Sequence, residues 1–284
     1  MNIHEKIVFF GTSRFAVIVF EELFKTDIAP ALLVTQPDRP QGRRLELAPT
    51  PAKTWAIEHH VPVLAPEKLD AGFIGELENS GYNLAIVASY GTLIPKKILD
   101  LFTHGALNVH PSLLPKYRGA SPVQSQILLN DHDTGVTIIL LDEKMDHGPI
   151  LAFEHISIPN WPPNALELED ILAKAGGTLL AHTIPSWLRG EITPYPQNDP
   201  RATFTKKISK ADGEINLEND PYQNFLKIQA FTPWPGTYFF AERNAKKIRV
   251  KVTKASYTEK KLTIERVTPE GGREMAYSDF LRNS

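Results

Sequence analysis

Cysteine is absent from the 284 residues, so a disulfide, a thiolate nucleophile and a cysteine-ligated metal site are all excluded. Long apolar runs are missing as well. Hydrophobic residues make up 42% and charged residues 23% of the chain, ordinary globular proportions. No stretch approaches the roughly 18 apolar residues that cross a bilayer, so no membrane partner is expected. The opening MNIHEKIVFFG lacks the basic region, long apolar segment and small-residue cleavage site of a secretory signal, and a cytoplasmic location is the expectation. Internal repeats and low-complexity tracts are absent too. His104, His110 and His147 form no H-E-x-x-H pair or other ligand spacing, and no metal is expected. GTSRFA at 11–16 lacks the second and third glycines of G-x-G-x-x-G that let a pyrophosphate approach the backbone, which argues against a nicotinamide cofactor.

What the chain does have is an uneven distribution of charge. Residues 1–200 hold 15 Lys and Arg against 23 Asp and Glu, a balance of −8; residues 201–284 hold 16 against 10, a balance of +6. A basic C-terminal part suits a polyanionic partner, because lysine and arginine gain affinity by displacing counterions from phosphates; a merely solvated basic face is the alternative.

Periodicity predicts an alternating βα order in the first two-thirds. Residues 6–10 (KIVFF) read as a strand ending in Gly11-Thr12-Ser13, 15–24 as a helix and 31–35 as a second strand. QPDRPQGRRLELAPTP, with four prolines, a glycine and three arginines, has loop composition and a basic tip. Helices are predicted over 52–59, 71–79, 95–102, 122–129 and 166–188, and strands over 61–64, 84–88, 106–110, 135–141 and 150–158. TPYPQNDP at 193–200 carries three prolines and coincides with the charge reversal, so the linker is placed at 193–203, between a catalytic domain of 1–192 and a small β-rich domain of 204–284. In the latter, 222–230 reads as a helix, PWPG at 233–236 as a rigid turn, and 237–240, 248–253 and 262–267 as antiparallel strands.

The stretch GALNVHPSLLPKYRGASPVQ at 105–124 delivers Asn108 and His110 two residues apart, a spacing that puts both side chains on one face of a strand. Pro111 and Pro115 then force a fixed loop just as the two polar groups emerge. Asp146 leaves the next strong strand, 36 residues after His110, and in a parallel sheet such carboxyl ends converge on one crevice. An amide and a protonated imidazole can both donate to a developing oxyanion, and an adjacent carboxylate favours the charged ring. No serine or cysteine elbow supplies a nucleophile, so direct transfer of an acyl or one-carbon group to an amine is the chemistry that these groups fit. Taken singly, each residue has a blander alternative: Asn108 as a turn residue, His110 as a hydrogen-bonded core histidine, Asp146 as a cap before Gly148.

These residues also carry a resemblance. VFFGTSRFA, TQPDRPQGR, VASYGTLIP, NVHPSLLPKYRGASPVQ, TGVTIILLDEKMDHGPI, FTKKISKADGEI and AFTPWPG, spread over nearly the whole chain, are similar to the methionyl-tRNA formyltransferases of the folate-dependent formyltransferase family. The resemblance implies an α/β fold, a Rossmann-like formyltransferase domain followed by a small OB-like β-barrel. It implies 10-formyltetrahydrofolate as co-substrate, methionyl-tRNA as partner and a monomer. Asn108 and His110 would bind the formyl oxygen, and Asp146 would orient His110. The pterin would lie against Ser89, Tyr90, Gly91, Leu93, Ser112, Leu113, Leu114, Pro115, Asp142 and Glu143. Arg39, Arg43 and Arg44 on the basic loop, with Lys206, Lys207 and Lys210, would face tRNA.

The N-H-SLLP-RG block is shared with sugar N-formyltransferases and other folate formyl enzymes, so it specifies the chemistry and not the acceptor. A nucleotide-linked amino sugar is the alternative acceptor, and a catalytically idle RNA- or folate-binding homologue is the alternative of another class. Three departures from the family pattern stand out: Pro111, Leu217 in place of an aromatic after Asn216, and only about 48 residues after PWPG, enough for three or four short strands of an abbreviated barrel.

Overall fold

The computed structural model describes residues 6–26, 28–41, 46–243 and 246–282. The chain packs as two compact units, neither continuous in sequence: Met1–Arg118 with Asp133–Ser157 and Asp170–Phe204, and Gly119–His132 with Ile158–Glu169 and Thr205–Ser284.

In chain order the elements through residue 188 are β1 (Ile7–Gly11), α1 (Arg14–Phe24), β2 (Leu32–Val34), β3 (Arg39–Gln41), β4 (Glu46–Ala48), α2 (Pro51–Glu58), β5 (Val63–Leu64), α3 (Ala71–Glu78), β6 (Leu84–Ala88), α4 (Lys96–Leu99), β7 (Ala106–His110), β8 (Arg118–Gly119), α5 (Pro122–Leu128), β9 (Thr134–Leu140), β10 (Ile150–Ile156) and α6 (Ala165–Leu188). Seven strands form one sheet in the order β10-β9-β7-β6-β1-β2-β5. β1, β6 and β7 are buried at every position, and β1 and β6 read as unbroken apolar runs because such strands are covered on both faces. On one face α1 buries Phe15, Ala16, Val19, Phe20 and Leu23, with Phe20 stacked on Phe9 at 4.3 Å between ring centres. On the other, Phe10 meets Phe73, Leu77, Tyr90 and Phe102. Helix starts follow capping chemistry. The Thr50 hydroxyl accepts from Lys53 N with Pro51 in the first turn, and the Asp70 carboxylate accepts from Gly72 N and Phe73 N.

The sheet corrects one expectation. β9 runs antiparallel to β7, with His110 opposite Thr137 and Leu107 opposite Leu140, so the carboxyl ends of these two strands lie at opposite edges. The connection through α5 returns to the edge that it left. Apolar runs reveal that two strands exist, but their relative direction is set by the path between them. The Pro-rich stretch read as loop also holds the β3–β4 hairpin, Arg39 opposite Ala48 and Gln41 opposite Glu46. Arg43 and Arg44 lie outside the described residues.

The second unit holds a four-stranded antiparallel sheet of β12 (Thr237–Arg243), β13 (Lys246–Thr258), β14 (Lys261–Pro269) and β15 (Met275–Ala276), preceded by β11 (Phe204–Thr205) and α7 (Pro221–Ala230) and followed by α8 (Tyr277–Arg282). Its core is Ile215, Ile228, Phe239, Val250, Val252, Val267 and Phe280. Among the described residues the sheet stays open, with β12 and β15 as its edges, so the expected barrel is present only as a small open β sheet. Two strands run longer than expected because β13 and β14 continue to a two-residue turn, Glu259-Lys260, both with positive φ (51° and 63°). That is the geometry of a tight hairpin, made here without the Asn-Gly signal that would have announced it. Among the described residues no helix is long and apolar enough to cross a membrane.

Phe20 is fully buried between β1 and Trp55. Phe20→Ala is expected to lower the stability of the first unit by about 3–5 kcal/mol, measured as a shift of the urea unfolding midpoint at unchanged slope.

Candidate active site

β7 presents Asn108 and His110 on one face, at its carboxyl end, and both are buried, at 8% and 4% exposure. The chain beyond them folds back on itself. His110 Nε2 lies 3.0 Å from the carbonyl oxygen of Tyr117, so this nitrogen carries the hydrogen and donates it. Tyr117 adopts a left-handed backbone (φ 62°), and its N–H donates to Thr203 Oγ1 at 2.8 Å. Thr137, opposite His110 on β9, staples the intervening loop: its hydroxyl donates to Ser112 O at 2.7 Å and accepts from Leu114 N at 3.1 Å.

The other ring nitrogen faces the acid. Asp146 Oδ1 stands 3.6 Å from His110 Nδ1, an ion-pair distance just beyond a hydrogen bond. Asp146 reaches His110 not from a neighbouring parallel strand end, as expected, but from the loop between the antiparallel strands β9 and β10. That loop is tightly made. Asp146 sits at φ 50°, and a Cβ on Gly148 would lie 1.8 Å from Leu140 O, so only glycine fits there. The Asn108 amide makes no hydrogen bond among the described residues. It is a buried donor pair held ready on a rigid strand, beside a ring whose two nitrogens are both engaged.

The remaining expected contacts divide. β6 pairs in parallel with β7, Val87 beside Asn108, so its exit at Ser89 is level with His110. Ser89 is exposed at φ 46° and accepts from Ser13 Oγ at 2.8 Å, while Thr12 Oγ1 donates to Tyr90 O at 2.9 Å. β1 and β6 are the neighbours at which the strand order reverses, and ligands of open α/β sheets bind at such a crevice. Gly91 and Leu93 are exposed there; Tyr90 is buried edge-on against Phe10, which pushes its phenol up to about 12. Ser112 and Leu114 are committed to the loop itself, Ser112 Oγ donating to Lys116 O at 2.7 Å and Leu114 packing on Ile139 and Ile150. Leu113 and Pro115 are partly exposed. Asp142 accepts from Lys144 N at 2.9 Å and pairs with His147 Nδ1 at 2.5 Å, whereas Glu143 is exposed.

Arg39 is exposed on β3 and paired with Glu67 at 3.1 Å. Lys206, Lys207 and Lys210, in the second unit, are exposed without an ion-pair partner among the described residues. No cluster of three or more His, Asp and Glu in metal-ligating geometry occurs among the described residues. Thr137 and the Tyr117 carbonyl had no signal in the sequence, because one acts from a strand that reads as core and the other through its main chain.

Residues 5–184 match the family described as formyl transferase, and residues 207–263 match the formyl transferase C-terminal domain. A methionyl-tRNA formyltransferase of Chloroflexus aurantiacus is 42% identical over 236 residues, covering 83% of this chain and 76% of that protein. One from Bdellovibrio bacteriovorus is 34% identical over 304 residues, covering 98% and 95%. Among solved structures, an N-formyltransferase from Helicobacter canadensis, in complex with folinic acid and dTDP-3-aminofucose, superposes with a TM-score of 0.62 at 19% identity, over 96% of this chain and 98% of that one, a likeness of fold.

Proposed function

The chain belongs to the formyl transferase family, and we propose that it transfers the formyl group of 10-formyltetrahydrofolate to the α-amino group of methionyl-tRNA. The observation that carries the chemistry is the uncommitted Asn108 amide, buried beside a His110 ring that has an acceptor at each nitrogen. The acceptor is supported by relatives at 34–42% identity over most of the chain, against 19% for the sugar-nucleotide complex.

In this reading the amine lone pair attacks the formyl carbon and the carbonyl electrons move onto oxygen. The amine gives up a proton, collapse breaks the bond to the folate nitrogen, and that nitrogen takes a proton, leaving tetrahydrofolate and a formylated amine. The Asn108 N–H groups donate to the oxyanion, which develops only in the transition state, with the His110 ring beside it; such donors are the most valuable service that a site of this type provides. Asp146 holds its carboxylate against His110 Nδ1. The donor's pterin lies along Ser89, Tyr90, Gly91 and Leu93 and the loop from Asp142, with Leu113 and Pro115 lining and Ser112 and Leu114 shaping the wall.

Residues 1–192 carry the chemistry in this reading. Residues 204–284, which carry the small open sheet in place of the expected OB-like barrel, grip tRNA phosphates through Lys206, Lys207 and Lys210, and Arg39, Arg43 and Arg44 approach its acceptor end. The protein acts as a monomer.

Supplying the purified protein with 10-formyltetrahydrofolate and either methionyl-tRNA or a nucleotide-linked amino sugar tests the acceptor; formylation of the sugar alone would refute the proposal. Asn108→Ala is expected to reduce kcat by about 10²–10³-fold with little change in KM, because its donors act on the transition state. A wild-type rate in this variant would remove Asn108 from the site. Replacing Lys206, Lys207 and Lys210 together by alanine should raise KM for methionyl-tRNA and flatten the salt dependence of tRNA binding by about 2 in log–log slope; an unchanged slope would remove these lysines from the RNA contact.

A further inference from the structure

The segment that composition marks as linker, TPYPQNDP, is hydrogen-bonded to the loop that carries Asp146. Tyr195 exchanges main-chain hydrogen bonds with Ile150, at 2.9 and 3.1 Å, just past the end of that loop. Two residues on, the side-chain amide of Gln197 reaches the loop itself. Its Nε2 donates to the carbonyl oxygens of Asp146 and Gly148, each at 2.8 Å. Its Oε1 accepts from Nε and Nη2 of Arg118 at 2.9 and 2.7 Å.

A guanidinium offers donors only, so the amide cannot be turned around: the oxygen must face Arg118 and the NH₂ group must face the loop. Arg118 is itself fixed. It is 4% exposed, and Nη2 also donates to Asp199 Oδ1 at 2.7 Å, a hydrogen bond that is the main cause of the Asp199 carboxyl lying below its ordinary range. Asp199 Oδ2 stands 3.4 Å from His147 Nε2, and His147 is tied by its other nitrogen to Asp142. Asp146 has a left-handed backbone, a conformation that persists where the surroundings hold it.

We propose that Gln197, oriented by Arg118, is a positioning residue for formyl transfer: it holds the backbone at Asp146 and Gly148 so that the Asp146 carboxylate stands against His110. This rests on the reading of Asp146 and His110 as site residues. Gln197 touches neither substrate; it acts through Asp146.

Gln197→Glu separates that role from packing, since a carboxylate still accepts from Arg118 but has no hydrogen to give to the two carbonyls. The full chain, with 10-formyltetrahydrofolate and methionyl-tRNA, is expected to lose about 10²-fold in kcat, the scale of a misplaced site group, while KM for both substrates and the thermal midpoint stay close to wild type. Gln197→Met, similar in length and without donors, should lose kcat alike, with a lower thermal midpoint because Arg118 also loses an acceptor. In an Asp146→Asn background, Gln197→Glu should cost less than about threefold, because two changes that act through one group are not additive. A wild-type kcat in both Gln197 variants beside a strongly impaired Asp146→Asn would overturn this inference and leave the site reading intact. Loss of the folded state in both variants would assign Gln197 to stability alone, and equal losses in the two backgrounds would sever it from Asp146; either result also overturns the inference. Full activity in Asp146→Asn would sink the site reading, and this inference with it.

Discussion

A buried imidazole flanked by two acceptors is the constraint around which this molecule is shaped. His110 is 4% exposed, with the Tyr117 carbonyl at 3.0 Å from one nitrogen and the Asp146 carboxylate at 3.6 Å from the other. A buried polar ring left without partners is costly, so the chain on either side has to supply them. The loop after β7 turns back through Tyr117 to do this, and Thr137 and Thr203 hold it there. Two services usually credited to one carboxylate are thereby divided. The main chain of Tyr117 aims the ring, and Asp146 supplies charge.

That division explains how few side chains the site needs. The aiming contact belongs to the same stretch as the ring, seven residues away, so it forms wherever the loop closes. The charged contact arrives from a separate loop between antiparallel strands. It depends on the glycine at 148, which lets the chain pass against Leu140 O, and on the amide of Gln197. That amide brings no charge to the site, yet it touches the geometry on which the Asp146–His110 pair rests.

How much of this was legible in the sequence follows from what each signal measures. Apolar runs mark buried strands, so β1, β6, β7 and β9 could be read directly, and the i, i+2 spacing put Asn108 and His110 on one face. Strand direction leaves no such trace, and the expectation of a parallel neighbour failed at β9 for that reason. The Glu259-Lys260 turn went unread because neither residue favours positive φ, and the pairing of β13 with β14 imposes it. Gln197 was hidden by its company: three prolines in eight residues describe a segment that cannot join a helix or a central strand, not a segment that touches nothing.

The acceptor question turns on charge arrangement and not on its total. A net charge of −2 would by itself argue against a polyanion as partner. At physiological ionic strength, however, exposed charges are screened over about 8 Å, so an RNA phosphate responds to the residues beside it and hardly to the sum. The 6 positive charges in excess after residue 200 are therefore felt residue by residue, at the side chains beside a phosphate. Lys206, Lys207 and Lys210 are exposed without an ion-pair partner among the described residues, whereas Arg39 is already paired with Glu67. An unpaired lysine gives phosphate its full charge; a paired arginine must first give up its carboxylate. In the proposed reading, Lys206, Lys207 and Lys210 are on that ground the stronger part of the grip, and Arg39 the weaker.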